Sequence, residues 1–519
     1  MADRAVALRI AALGVALLLA ALTLGSAIIV AARATSWTLG PADGAALRFT
    51  LLQAALSAGL SALLAVPVAR ALMRRRFLGR GVLIRLMAAP FVLPVVVAVL
   101  GLLAVFGRAG PVNGALAALG LPALSIFGLH GVVLAHVFLN LPLAVRIILM
   151  GWQAIPAERL RLAQSLGFSD RAMFRHIELP MLRAVLPGAG AVIFLLCLTS
   201  FAVALTLGGG PKSSTLELAI FQALRFDFDL GRAALLAALQ FALCAAVTVA
   251  TARVASPFGF GAGLDRAVLP FAPRGWRAAL DAVAIAAAAL LLLAPLLAVV
   301  VRGVPGLLDL PSGVWPAALR SVLVALASAA LAVAAALVLA LALAAVPLGR
   351  FGRGIEMVAM LPLAASGLVM GVGLFLVIHP VARPESLALP VTVLVNATLS
   401  LPYLFRLLLP QARQVVADYG RLSASLGMGA RARLRWVILP RLSRPLGYGA
   451  GLAAALSMGD LGVIALFAGD QGATLPLMVQ RLMGAYRMEQ AAGAALLLVS
   501  LSFGVFWLFD RIGDRNADA

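Results

Sequence analysis

Runs of apolar residues about 20 positions long follow one another along the whole chain, parted by short segments that carry most of its charges. Twelve can be drawn, at 8–32, 49–72, 86–106, 130–151, 187–208 and 232–252, then at 279–301, 319–346, 356–379, 387–409, 446–468 and 489–509. A helix of that length crosses a hydrocarbon core about 30 Å thick, and in lipid only helices and closed barrels satisfy their own backbone hydrogen bonds. The pattern predicts an all-α polytopic membrane protein of about twelve transmembrane helices. Residues 8–32 are too long for a cleavable signal core and lack a clear small-x-small cleavage context, so they read as the first span.

The polar segments repeat. Leu141-Pro142, Arg146, Glu158, Arg161-Leu162-Ala163, Ser165-Leu166-Gly167 and Leu179-Pro180 recur 260 positions later. There they read Leu401-Pro402, Arg406, Asp418, Arg421-Leu422-Ser423, Ser425-Leu426-Gly427 and Leu439-Pro440. Pro90 and Gly101 in the third span pair with Pro362 and Gly373 at an offset of 272, and Thr215-Leu216 with Thr474-Leu475 at 259. A register kept through polar sequence marks two copies of one unit. The halves are expected at 1–255 and 278–519, joined by a Gly-, Pro- and Arg-rich cytoplasmic linker at 256–277. Six spans return the chain to its starting side, so the two six-helix repeats are parallel.

Charge refines the picture. The chain has 519 residues, 63% hydrophobic and 12% charged, where soluble domains carry about 25% charged residues. Its formal net charge is +21, with arginines gathered where an N-in topology puts the cytoplasm: Arg70, Arg74, Arg75, Arg76 and Arg80, then Arg350 and Arg353, then Arg431, Arg433, Arg435, Arg441 and Arg444. That bias fixes orientation, with both termini cytoplasmic. No solvated basic face with interleaved aromatics accompanies it, so the partner of this charge is the bilayer and not nucleic acid. Cys197 and Cys244 lie inside apolar runs without CxxC spacing, and His130, His136, His176 and His379 are scattered, so no disulfide or metal site is expected.

The repeated segment is too short and too charged to span. Pro156 suits a first helical turn, with Glu158 near the positive end of the helix dipole. Gly167 suits a C-terminal cap, and Ser169 can cap a second helix with Asp170 in its first turn. Phe174, Ile177 and Leu179 give an apolar side before Pro180. Glu158 and Asp418 stand three residues before Arg161 and Arg421, a spacing that allows pairing on a helix. A helix–Gly turn–helix kept with a 13-residue Gly-to-Pro distance in two divergent copies reads as a docking element.

This pattern resembles the EAA loop of ATP-binding cassette (ABC) importer permeases. Gly167, Ile177, Leu179 and Pro180 in one copy, and Gly427, Val437, Leu439 and Pro440 in the other, stand at the spacing of that motif. At its front this chain has Arg161-Leu162-Ala163 and Arg421-Leu422-Ser423 where the motif has Glu-Ala-Ala. Phrases such as Ala135-His136-Val137-Phe138-Leu139-Asn140-Leu141-Pro142, Leu207-Gly208-Gly209-Gly210-Pro211 and Ser457-Met458-Gly459-Asp460 are similar to one branch, the fused two-half permeases for thiamine and thiamine pyrophosphate. Fused permeases for ferric iron look similar, and separate-chain sulfate and polyamine permeases share the module. The resemblance implies a bacterial inner-membrane permease with no cofactor. It further implies two cytoplasmic ATPase subunits docked on the loops around Gly167 and Gly427, and a periplasmic solute-binding protein outside.

Within the spans, Asp460 stands out, because a charge at mid-bilayer costs about 2.5–3.5 kcal/mol and must face a cavity or a partner. Ser457 lies one turn before it; Thr199 and Ser200 hold the corresponding place in the fifth span, with Phe201 opposite Asp460. These four residues are the candidate translocation path, with Asp460 favouring a cationic solute. No Gly-rich phosphate loop with a lysine is present and Lys212 is the one lysine, so ATP hydrolysis is expected on other subunits. A six-plus-six secondary transporter is the competing class. Its need for intramembrane carboxylates is met here by one residue.

Overall fold

The computed structural model describes residues 2–34, 37–87, 89–252, 275–345, 349–469 and 472–518. These residues are almost wholly helical, with no strand among them. Eleven helices are long and apolar enough to cross a membrane, and a pair bent by 93° makes a twelfth. They are α1 (Ala7–Arg33), α2 (Pro41–Arg74), α3 (Val95–Ala118), α4 (Leu129–Gln153), α5 (Asp170–Leu198) and α6 (Leu230–Thr251). Next come α7 (Trp276–Gly306), α8 (Val314–Ala344), the bent α9 (Gly352–Ala364 with Gly367–Ile378), α10 (Pro384–Ser425), α11 (Ala430–Phe467) and α12 (Met488–Arg515). Each overlaps one of the apolar runs, but α3 begins well after the run at 86–106 does, and α5 begins before the run at 187–208 and ends within it at Leu198. Of the linker expected at 256–277, residues 256–274 lie outside the described residues.

The third span of each half differs from the unbroken helix expected. In the first half, helices Ala89–Val92 and Val95–Phe106 are parted at Leu93-Pro94, and in the second the bend falls at Ala365-Ser366. Proline supplies no N–H to the preceding turn. Ser366 instead caps the new helix, its Oγ accepting from the Val369 N–H at 3.1 Å.

The chain packs as two compact units. One comprises Met1–Leu39, Leu216–Ala245 and Gly303–Ala519; the other comprises Gly40–Thr215 and Ala246–Arg302. These units and the halves of the sequence repeat are different divisions of the chain, because each unit takes in the first span of the other half. Within the first unit, a Cβ on Gly373 would stand 2.6 Å from Ser26 Cβ of α1. Within the second, a Cβ on Gly101 would stand 2.6 Å from the Pro295 carbonyl oxygen of α7, and Arg302 of α7 donates to the Ala104 carbonyl at 3.2 Å. Gly101 and Gly373 are repeat-related, so the same glycine receives the exchanged helix in both units. Such close backbone approach is how helices associate where lipid supplies no hydrophobic drive.

Candidate functional site

The two cytoplasmic-type loops fold alike. In the first, helix Ala157–Ser165 ends at Gly167 with φ +64°; the Gly167 N–H bonds to the Gln164 carbonyl at 3.0 Å and the Phe168 N–H to the Ala163 carbonyl at 3.0 Å. In the second, Gly427 has φ +63°, its N–H bonds to the Ala424 carbonyl at 3.0 Å, and the Met428 N–H to the Ser423 carbonyl at 3.0 Å. This left-handed stop satisfies carbonyls that a helix end leaves open. Ala163 and Ser423 are buried, whereas Leu162, Leu166, Leu422 and Leu426 are each more than half exposed. Both copies thus present the same two leucines to solvent.

After the glycine each copy makes a short helix, Asp170–Met173 or Ala430–Arg433, and then a wider π-type turn, Phe174–Glu178 or Leu434–Ile438. Ile177 and Val437 lie half-buried in these turns, and Pro180 and Pro440 begin the helices that follow. Ser169 caps the first copy, accepting from the Ala172 N–H at 3.3 Å. The pairing allowed by spacing does not form: Glu158, Arg161, Asp418 and Arg421 are exposed, with no Glu158–Arg161 or Asp418–Arg421 ion pair among the described residues. Solvent screens such pairs and side-chain entropy opposes them. The first loop is instead held by Arg70 and Arg74 of α2, which pair with Asp170 and Glu178 at 2.6–3.5 Å.

The intramembrane residues meet at matching helix breaks. The helix of α5 ends at Leu198 and Phe201–Leu207 follows. In α11, helix Leu439–Met458 is followed by Gly462–Phe467. The breaks keep the 260 offset, so Ser200, not Phe201, corresponds to Asp460. Thr199 turns back to the Leu195 carbonyl at 3.3 Å.

Each break is tied to two neighbouring spans. In the first half, buried His136 of α4 bridges Ser57 of α2 (Nδ1 to Oγ, 3.2 Å) and Ser200 (Nε2 to Oγ, 2.8 Å), one ring nitrogen donating and the other accepting. In the second half, Asn396 of α10 donates to Ser457 Oγ at 3.0 Å, and Ser457 donates to Ser328 Oγ of α8 at 3.1 Å. His136 and Asn396 differ by 260 positions and Ser57 and Ser328 by 271, the offset at which the burial pattern of α2 recurs along α8. Asp460 Oδ1 accepts weakly from the Val463 N–H at 3.5 Å, while Oδ2 is buried with no hydrogen-bond partner among the described residues.

No protein-family model matches the chain. It is 40% identical over 487 residues to the thiamine transport system permease protein ThiP of Salmonella typhimurium, covering 91% of this chain and 89% of that protein. Its identity to the ThiP of Haemophilus influenzae is 33% over 479 residues, covering 89% and 87%. The molybdenum transport system permease protein ModB of Azotobacter vinelandii is 32% identical over 178 residues, 34% of this chain but 78% of that protein.

Proposed function

The chain belongs to the thiamine transport system permeases, the fused two-half membrane subunits of ABC importers, and from that footing we propose that it moves thiamine and thiamine pyrophosphate across the bacterial inner membrane. A periplasmic binding protein delivers the vitamin, and two copies of a cytoplasmic ATPase subunit drive the cycle. One ATPase grips the loop running from Glu158, Arg161 and Ala163 through Gly167 to Ile177 and Pro180. The other grips the loop from Asp418, Arg421 and Ser423 through Gly427 to Val437 and Pro440. Nucleotide binding favours one arrangement of the loops over the other, and that differential affinity biases the spans between inward-open and outward-open states. Both termini lie in the cytoplasm.

The observation that carries this reading is the repeated loop, with the same left-handed stop and the same exposed leucines in each copy. Thr199, Ser200, Ser457 and Asp460 are assigned to the solute path. There the carboxylate of Asp460, one buried oxygen of which has no hydrogen-bond partner among the described residues, suits a cationic thiazolium ring.

Uptake of labelled thiamine in cells lacking the chain, with ferric iron and a polyamine as comparison solutes, tests the substrate. Restoration of thiamine uptake alone supports the assignment; restoration of either comparison solute in its place ends it. Copurification tests the mechanism. Leu162→Asp with Leu422→Asp is expected to strip the ATPase from the complex, each single change stripping part of it. Proton-driven uptake by the lone chain would favour the secondary-transporter class.

A further inference from the structure

The two docking loops hang from the membrane in different ways. In the second half, α10 runs unbroken to Ser425, carrying Val416 in its interior. In the first half, α4 stops at Gln153, and Pro156, 260 positions before Val416, precedes the separate helix Ala157–Ser165. Proline has no N–H to continue the helical ladder, so the first loop loses its mechanical continuity with α4.

A set of charges takes the place of that continuity. Asp170, Phe174 and Glu178 are spaced four apart along one side of the loop, and Arg70 and Arg74, also four apart, meet them from the end of α2. Arg70 Nε lies 2.6 Å from Glu178 Oε2, and Arg74 Nη2 lies 3.1 Å from Glu178 Oε1 and 2.6 Å from Asp170 Oδ1. The Arg70 guanidinium also stacks over the Phe174 ring, 4.8 Å from its centroid, and Arg277 reaches Asp170 Oδ2 at 3.4 Å. The Arg74 and Glu178 side chains are 3% and 0% exposed. At the repeat-related positions the second half has Leu341, Ala345, Ala430, Leu434 and Ile438, so no charge remains. Buried ion pairs add little net stability over apolar packing of the same volume. The effect of this cluster is to hold one geometry.

We propose that Arg70, Arg74, Asp170 and Glu178 form a tether that positions the first docking loop on α2, in place of the helix continuity that positions the second loop on α10. The two ATPase contacts then act on different spans: the first pulls on α2 through the charges, and the second turns α10 directly. The inference rests on the ABC-importer reading above.

The test uses the full chain with its ATPase subunits and binding protein, read by amide hydrogen exchange in lipid nanodiscs and by ATP hydrolysed per thiamine imported in sealed vesicles. Glu178→Gln is expected to speed exchange of residues 170–178 by roughly tenfold or more and to leave 430–438 unchanged. It should raise ATP consumed per thiamine severalfold with the ATPase still bound. Adding Pro156→Ala, which restores helix continuity, should recover much of the coupling, whereas Val416→Pro should uncouple the otherwise unaltered chain. If Glu178→Gln fails to accumulate, Asp170→Asn, whose carboxylate is partly exposed, should give the same pattern on a smaller scale. Unchanged exchange in 170–178, equal loosening of both loops, or an unmoved coupling ratio would overturn the tether. Absence of any ATPase from the unaltered complex would instead sink the importer reading, with the exchange comparison still standing.

Discussion

His136 and Asn396 do one job with different chemistry, each joining a broken span to its neighbours. His136→Leu would leave the buried Ser57 hydroxyl and the half-buried Ser200 hydroxyl without that partner, at about 1–3 kcal/mol for a buried polar group left unmet. His136→Asn, which imitates the second half, should lose much less; melting temperatures in detergent separate the two variants. Glu217 gives a pH signature. It lies on the short helix Leu216–Arg225, outside the twelve spans, and burial pushes its carboxyl up to about 7, offset in part by hydrogen bonds from Ser366 and Gln240. The unfolded chain ionises Glu217 from its ordinary 4.5 upward while the folded chain keeps it neutral until about 7. The folded state therefore binds the extra proton across that window, so stability falls as pH rises from about 4.5 to about 7 and levels off above it. Relative to the natural chain, Glu217→Gln should gain on the order of 3 kcal/mol by pH 8, read as a difference in melting temperature; parallel pH curves for the two proteins would refute it. At this scale legibility was uneven. Asp460 is visible as a lone carboxylate in an apolar run, but His136 looks ordinary until the 260 offset sets it against Asn396. The Arg74–Glu178 pair joins residues 104 positions apart, and no local pattern announces it.

Among the elements, the fold of the two repeated loops was the most legible, because a left-handed stop requires glycine and the distance to the following proline is kept. No heavy atom lies within 4 Å of a Cβ added to Gly167 or Gly427, so the cost of substitution there is backbone strain alone. Gly167→Ala or Gly427→Ala should cost about 1–2 kcal/mol of loop geometry, with asparagine milder because it tolerates the left-handed region. The expected order in ATPase copurification and in uptake is Gly above Asn above Ala. The twelve spans were equally plain, since each apolar run is long enough to need lipid. Their interruptions were not. Pro90 and Pro362 can be seen in the third spans, but the breaks fall at Leu93-Pro94 and Ala365-Ser366, set by the later Pro94 and by a serine cap whose partner is a backbone N–H. Hydropathy is blind to both.

For the whole molecule, the repeat was readable from offsets and the exchange of first spans was not, because hydropathy assigns helices to a sequence order and says nothing of their neighbours. The clue lay in Gly101 and Gly373, conspicuous as a repeated pair but silent about what they admit. Leucine at either position has no room: it would meet the α7 backbone at Pro295 in one unit and α1 at Ser26 in the other. Gly101→Leu and Gly373→Leu should each destabilise by about 1–3 kcal/mol or more through overpacking. The exchange predicts something further about the halves. Residues 1–255 alone would hold Gly101 without Pro295, and residues 278–519 alone would hold Gly373 without Ser26. Neither half then buries the glycine face of its third span, and each should be degraded or aggregate when produced singly. A chain cut between 256 and 277, with both pieces made in the same cell, should regain most of its uptake, since the exchanged helices need only to find their grooves. A half that folds and resists protease by itself would show that the borrowed helix is dispensable, and the packing at Gly101 and Gly373 would lose the role given to it here.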